Sequence, residues 1–196
     1  MKHSTTNTYQ LKREILGLSK RLSEGTHKDQ QKFTGDMLYG VLASGSCVLS
    51  RMADTLKEGI RKKNTVERLS RKLTENIPEE INEHYLTLMQ GISAKDTPIF
   101  VDDSDVAKPY GKAFEALGLV RDGSALTPTI QKGYHVTEMT ALSERTRQPY
   151  SLFSLIHSSH EKEYVSVNDI TFKALTKTIS RFPNSTYIFD RGYDMN

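Results

Sequence analysis

The sequence has one cysteine, no tryptophan and no long apolar run among its 196 residues. Cys47 alone can neither close an internal disulfide nor found a cysteine zinc site, which excludes stapled secreted scaffolds and zinc fingers. Set among small residues, it is expected to be a buried helix packer. A membrane span needs roughly 18 consecutive apolar residues, and nothing here approaches that. Met1-Lys2-His3-Ser4-Thr5-Thr6-Asn7 lacks the apolar segment of a secretory signal, so a soluble, cytoplasmic protein with no membrane partner is expected. What is present, 36% hydrophobic and 26% charged residues, suits an ordinary folded chain whose core is made by packing alone.

The net charge of +3 is unevenly spread: residues 1–95 hold 16 Lys+Arg against 11 Asp+Glu, and residues 96–196 hold 11 against 13. A basic front half suggests a polyanion-binding surface. Apolar residues recur there at helical spacing: Leu11, Ile15, Leu18, Leu22; Phe33, Met37, Val41; Val48, Leu49, Met52, Leu56, Ile60; Val66, Leu69, Leu73; Ile81, Tyr85, Leu88. This predicts a bundle of short helices, the fourth capped by Asn64 or Thr65 and the fifth opened by Pro78-Glu79-Glu80. The best candidate boundary lies near 92–97, giving a helical region over 1–95, the candidate for polyanion binding, and a second region over 96–196.

After Lys95 the texture changes. Pro98-Ile99-Phe100-Val101-Asp102-Asp103 reads as a buried strand ending in carboxylates. Residues 104–132, with Pro109, Gly111, Gly118, Asp122, Gly123 and Pro128, read as a long irregular connection. Residues 134–142 and 150–156 predict an antiparallel hairpin, 167–182 a helix, and 186–190 a strand ending in Asp190. A helix before the last strand lets that strand lie parallel to the first, because parallel pairing needs a crossover. The fold class expected is α+β, helices first and a mixed sheet after, with acids at two neighbouring strand ends. Such acids can hold divalent ions that clamp the attacking and leaving oxygens of a phosphodiester, and they also serve as ordinary turn or cap residues.

Three segments, Ile99-Phe100-Val101-Asp102-Asp103-Ser104, then Gly133-Tyr134-His135-Val136 leading to Leu155-Ile156-His157, then Tyr187-Ile188-Phe189-Asp190-Arg191-Gly192-Tyr193-Asp194, resemble the DDE transposases of cut-and-paste insertion sequences. The resemblance covers residues 96–196. It implies an incomplete ribonuclease H-like core, with Asp103 and Asp190 as catalytic, Mg²⁺- or Mn²⁺-binding acids and Asp102 as the alternative to Asp103. It also implies transposon-end DNA as partner, bound mainly through the helical region, alongside a homo-oligomer or a full-length transposase. The family's third acid, a glutamate well beyond the second aspartate, has no counterpart, since no Glu follows Glu163. The expectation is therefore a transposase portion with a weak metal site and no cleavage of its own, or else a truncated, non-catalytic DNA-binding protein that regulates transposition.

The densest basic cluster, Arg61-Lys62-Lys63 with Arg68, Arg71 and Lys72, is the candidate phosphate-contacting set, and it reads equally as a solvated helix face. Arg191, beside Asp190, is expected to orient a phosphate or to hold the turn. His157 and His160 are expected to be surface histidines.

Overall fold

The computed structural model describes residues 2–122 and 129–190. It is a mixed α+β protein that divides into two compact units, residues 1–85 and 86–196.

The first unit carries α1 (Lys2–Leu22), α2 (Lys28–Ser44), α3 (Leu49–Leu56), α4 (Lys62–Leu73) and the opening turns of α5 (Glu79–Ile92). These are the five helices the periodicity predicts. Gly45 ends α2 in the left-handed region, φ +61°, with its N–H on the Val41 carbonyl. Cys47 sits in the following turn and is exposed, against expectation, because the chain has left α2 before reaching it. The fourth helix is also differently begun: Arg61 is its N-cap, and Thr65 lies buried within it, its hydroxyl donating to Glu58 at 2.8 Å instead of capping backbone.

Gly40 of α2 faces Met52 of α3 so closely that a Cβ would stand 3.0 Å from the Met52 Cβ. Gly40→Ala is therefore expected to lower stability by about 1–2 kcal/mol through overpacking, read as a fall in the denaturant midpoint at unchanged slope.

The second unit contains β1 (Ile99–Ala107), β2 (Gly118–Asp122), β3 (Thr129–Leu142), β4 (Pro149–His157), α6 (Val167–Arg181) and β5 (Tyr187–Phe189). β3 is the long central strand. One edge pairs antiparallel with β1; the other is shared by β2, from Gly133 back to Thr129, and β4, from His135 to Leu142. β5 adds to the free edge of β1 in parallel, reached through α6. Ser166 caps α6 by accepting from the Asp169 N–H at 3.1 Å.

Two expectations are corrected here. Residues 104–132 are not all irregular, since β1 runs on to Ala107 and Gly118–Asp122 forms a strand. Asp102 and Asp103 consequently lie within β1, and only the parallel ladder with β5 stops beside them. The core covers one sheet face, where Ile99, Val101, Met139, Ala141 and Leu152 pack with Leu86, Ala174 and Phe182.

Candidate functional site

Alternation along β1 sorts its acids. Ile99 and Val101 are buried in the core, so Asp103 shares their face, while Phe100 and Asp102 point to the other face and are exposed. β5 is in register with β1 at Ile99↔Tyr187, Phe100↔Ile188 and Val101↔Phe189. The next residues along the two strands are Asp102 and Asp190, both exposed. One residue further, Asp103 is half-buried and accepts a hydrogen bond from the Thr137 hydroxyl at 2.5 Å. The paired residues thus end one position short of Asp102 and Asp190, and Asp103 is tied to β3.

Behind Asp103 lies a network that the sequence reading missed. Thr137 is fully buried, and its oxygen is 3.0 Å from Nε2 of His157. Its only hydroxyl proton goes to the carboxylate, so His157 must donate from Nε2, and the neutral ring then carries a bare Nδ1. That Nδ1 is buried and has no hydrogen-bond partner. The ring stacks between His135, at 5.6 Å, and Tyr164, at 6.2 Å, and His135 Nδ1 pairs with Asp105 at 2.7 Å. Burial, with His135 beside it, pushes the His157 pKa down. His157 is 1% exposed, which corrects the expectation of a surface histidine. The available signal was the two-residue spacing of His135, Thr137, Met139 and Ala141, which sets all four on the core face of β3.

The basic cluster separates into two kinds. Arg68 is held by Asp36 at 2.7 Å and Glu58 at 2.9 Å, and Lys72 by Asp29 at 2.8 Å and Glu75 at 2.6 Å. Burial would raise the Glu58 pKa, but hydrogen bonds from Lys32, Arg68 and Thr65 outweigh it and take the value down to about 2. Lys62 pairs with Asp54 at 2.6 Å, and Lys63 approaches Glu67 at 3.6 Å. Arg61 and Arg71 are exposed and have no ion-pair partner among the described residues. Arg191 lies outside the described residues.

Among the described residues no three His, Cys, Asp or Glu side chains gather closely enough to hold a metal ion. Asp102 and Asp190 are hard oxygen donors of the kind Mg²⁺ and Mn²⁺ take, but as a pair they fall short of a complete site. No helix among the described residues is long and apolar enough to cross a membrane. No protein-family model and no curated protein matches the chain.

Proposed function

We propose that the chain is a portion of a DDE-type transposase, which binds transposon-end DNA and supplies two of three metal-binding carboxylates for strand cleavage and transfer. The observation that carries this reading is the parallel pairing of β1 with β5, which ends with an acid next on each strand. The strand order β4-β3-β1-β5, with α6 as the crossover, supports a ribonuclease H-like core. Register supports Asp102 with Asp190 as the metal pair and leaves Asp103, hydrogen-bonded by Thr137, as the residue that steadies β1 beside them. Mg²⁺ demands near-octahedral oxygens and gives up its waters reluctantly, so two carboxylates bind it weakly and the chain alone does not cut DNA.

A non-catalytic DNA-binding protein that regulates transposition is the second reading, favoured by the excess of Lys and Arg in residues 1–95, 16 against 11 Asp and Glu. Either reading places the protein in the cytoplasm with its DNA. Its further partners are a homo-oligomer or a full-length transposase subunit.

The test is a melting series with Mn²⁺ beside a cleavage assay on duplex DNA. Ligand at about ten times its Kd adds roughly 1.4 kcal/mol of stability, so the wild-type midpoint should rise by a few degrees. Asp102→Asn and Asp190→Asn should abolish the rise, and Asp103→Asn should keep it. An equal response in all four proteins rejects the pair. Metal-dependent cleavage lost in Asp190→Asn would show instead that the chain supplies a third ligand itself.

A further inference from the structure

We infer that the open end of the sheet formed by β1, β2 and β3 is a platform for single-stranded DNA, on which Tyr110 stacks a base while Lys108, Lys112, Arg121 and Lys132 meet the phosphates. This rests on the DNA-binding reading above and gives the sheet unit its own contact with an unpaired strand.

The first observation is a turn that holds an aromatic ring out in solvent. The ladder between β1 and β3 carries on past Ala107, the Lys108 N–H donating to the Lys132 carbonyl at 2.6 Å. Lys108-Pro109-Tyr110-Gly111 then closes as a turn, the Gly111 N–H donating to the Lys108 carbonyl at 2.9 Å and the proline pre-setting the second position. The turn is tightly packed at Gly111, where a Cβ would stand 2.8 Å from the Phe114 ring, 3.1 Å from a Leu117 methyl and 3.1 Å from the Lys108 carbonyl oxygen. Tyr134 meets Phe114 edge-on at 6.5 Å and donates its hydroxyl to the Glu115 carbonyl, which ties the segment after the turn to β3. Tyr110, at the tip of this anchored loop, is 92% exposed. Its ring contributes almost no burial to the fold, and both its faces are open to a flat partner.

The second observation is what lies beside the turn. Tyr134, Lys132 and Ile130 alternate onto the face of β3 opposite the core, and register sets Val106 of β1 beside Tyr134, Leu119 of β2 beside Lys132 and Arg121 beside Ile130. Leu119 and Ile130 are exposed, as is Phe114. Asp102 is on the same face, paired with Glu138. At about 3.3 Å per residue, Tyr134 stands about 13 Å along β3 from that level. A strand leaving the Asp102 and Asp190 end can therefore run onto this face.

The third observation is charge. Residues 106–134 hold four Lys/Arg against two Asp/Glu, whereas the rest of residues 96–196 holds seven against eleven. The four cations are exposed and have no ion-pair partner among the described residues. Aromatic and apolar side chains set among unpaired cations suit a ligand that offers flat bases and phosphates together. A duplex keeps its base faces stacked inside, so the exposed ring favours the single strand.

The experiment measures binding of the full chain to labelled oligo(dT) of about 20 nucleotides, longer than the usual footprint of such a platform, and to a duplex of the same length. Tyr110→Ala should weaken oligo(dT) by about 5- to 150-fold, the loss of one base–aromatic stack, and leave the duplex unchanged. Lys108→Ala and Lys132→Ala should each lower the single-strand salt slope by about 0.7. Tyr9→Ala, which removes an exposed tyrosine of α1, should change neither ligand. Tyr110→Trp should keep the wild-type affinity, and because the sequence has no tryptophan of its own, quenching of its emission by oligo(dT) reports the stack directly. Wild-type affinity in Tyr110→Ala, or unquenched emission from oligo(dT)-bound Tyr110→Trp, overturns the platform and leaves DNA binding elsewhere on the chain standing. Duplex binding with no affinity for oligo(dT) does the same. Retention of neither ligand at low salt overturns this inference and the DNA-binding reading together.

Discussion

Gly133→Ala should cost about 3 kcal/mol, the upper end of the overpacking range. Gly133 is the residue of β3 that pairs with Ala107 of β1 on one side and Gly118 of β2 on the other. A Cβ there would stand 2.5 Å from the Val106 carbonyl oxygen, 2.5 Å from a Val120 methyl and 3.2 Å from the Ala107 Cα. Two of those three atoms are backbone, so the methyl is accommodated only by displacing β1. Gly118→Ala is the comparison, because the obstacle there is the Ser158 hydroxyl at 2.6 Å, which can rotate. Rotation loses the bond that this hydroxyl accepts from the His160 N–H, so about 1 kcal/mol is expected. Denaturant midpoints for the two variants and wild type give the order, and equal losses would mean that β1 yields without cost.

The difference between those two glycines is invisible in the sequence. What is legible there is periodic: five apolar stripes at helical spacing became α1 to α5, and the order of hairpin, helix and strand placed β5 parallel to β1. The length of β1 is illegible because Asp102, Asp103, Ser104 and Asp105 are poor strand formers, held extended by pairing with β3 from Glu138 to His135. β2 was lost in the same way, as a five-residue strand amid glycine and proline signals.

The basic cluster shows the limit more sharply. Arg61 to Lys72 are close in sequence and alike in charge, yet Arg68 and Lys72 each have a partner 32 and 43 residues away on α2, besides the nearer Glu58 and Glu75. Which cations remain for a polyanion is decided by how α4 packs, and composition reports only their sum. The carboxylates follow the same logic. Asp102 and Asp103 differ by one position, and only the register with β5 and the donor on β3 give them different surroundings.

Acid should destabilise the sheet unit, beginning near pH 6.5, and His157 should be the cause. Its folded pKa is depressed, by burial first and then by His135, while Asp103, Glu161 and Asp105 pull weakly the other way. A histidine whose folded pKa lies below its unfolded value of about 6.5 stabilises the fold above that pH. As pH falls below about 6.5 the unfolded chain takes up the proton first, and stability drops until the folded-state pKa is passed. The structural reason is Nδ1, which is buried without a partner: bare, it costs little, but protonated it would be an unpaired cation between the rings of His135 and Tyr164. Glu58 acts in a separate and more acidic window, its contribution being lost only as pH falls from 4.5 toward about 2. Unfolding free energy measured from pH 8 to pH 5 should therefore decline below about 6.5 in wild type and be flatter in His157→Phe, which keeps an aromatic ring but does not titrate. His157→Ala should lose about 3 kcal/mol at pH 8 by leaving a cavity beside Thr137. An acid limb of equal slope in wild type and His157→Phe would show that the proton is taken up elsewhere.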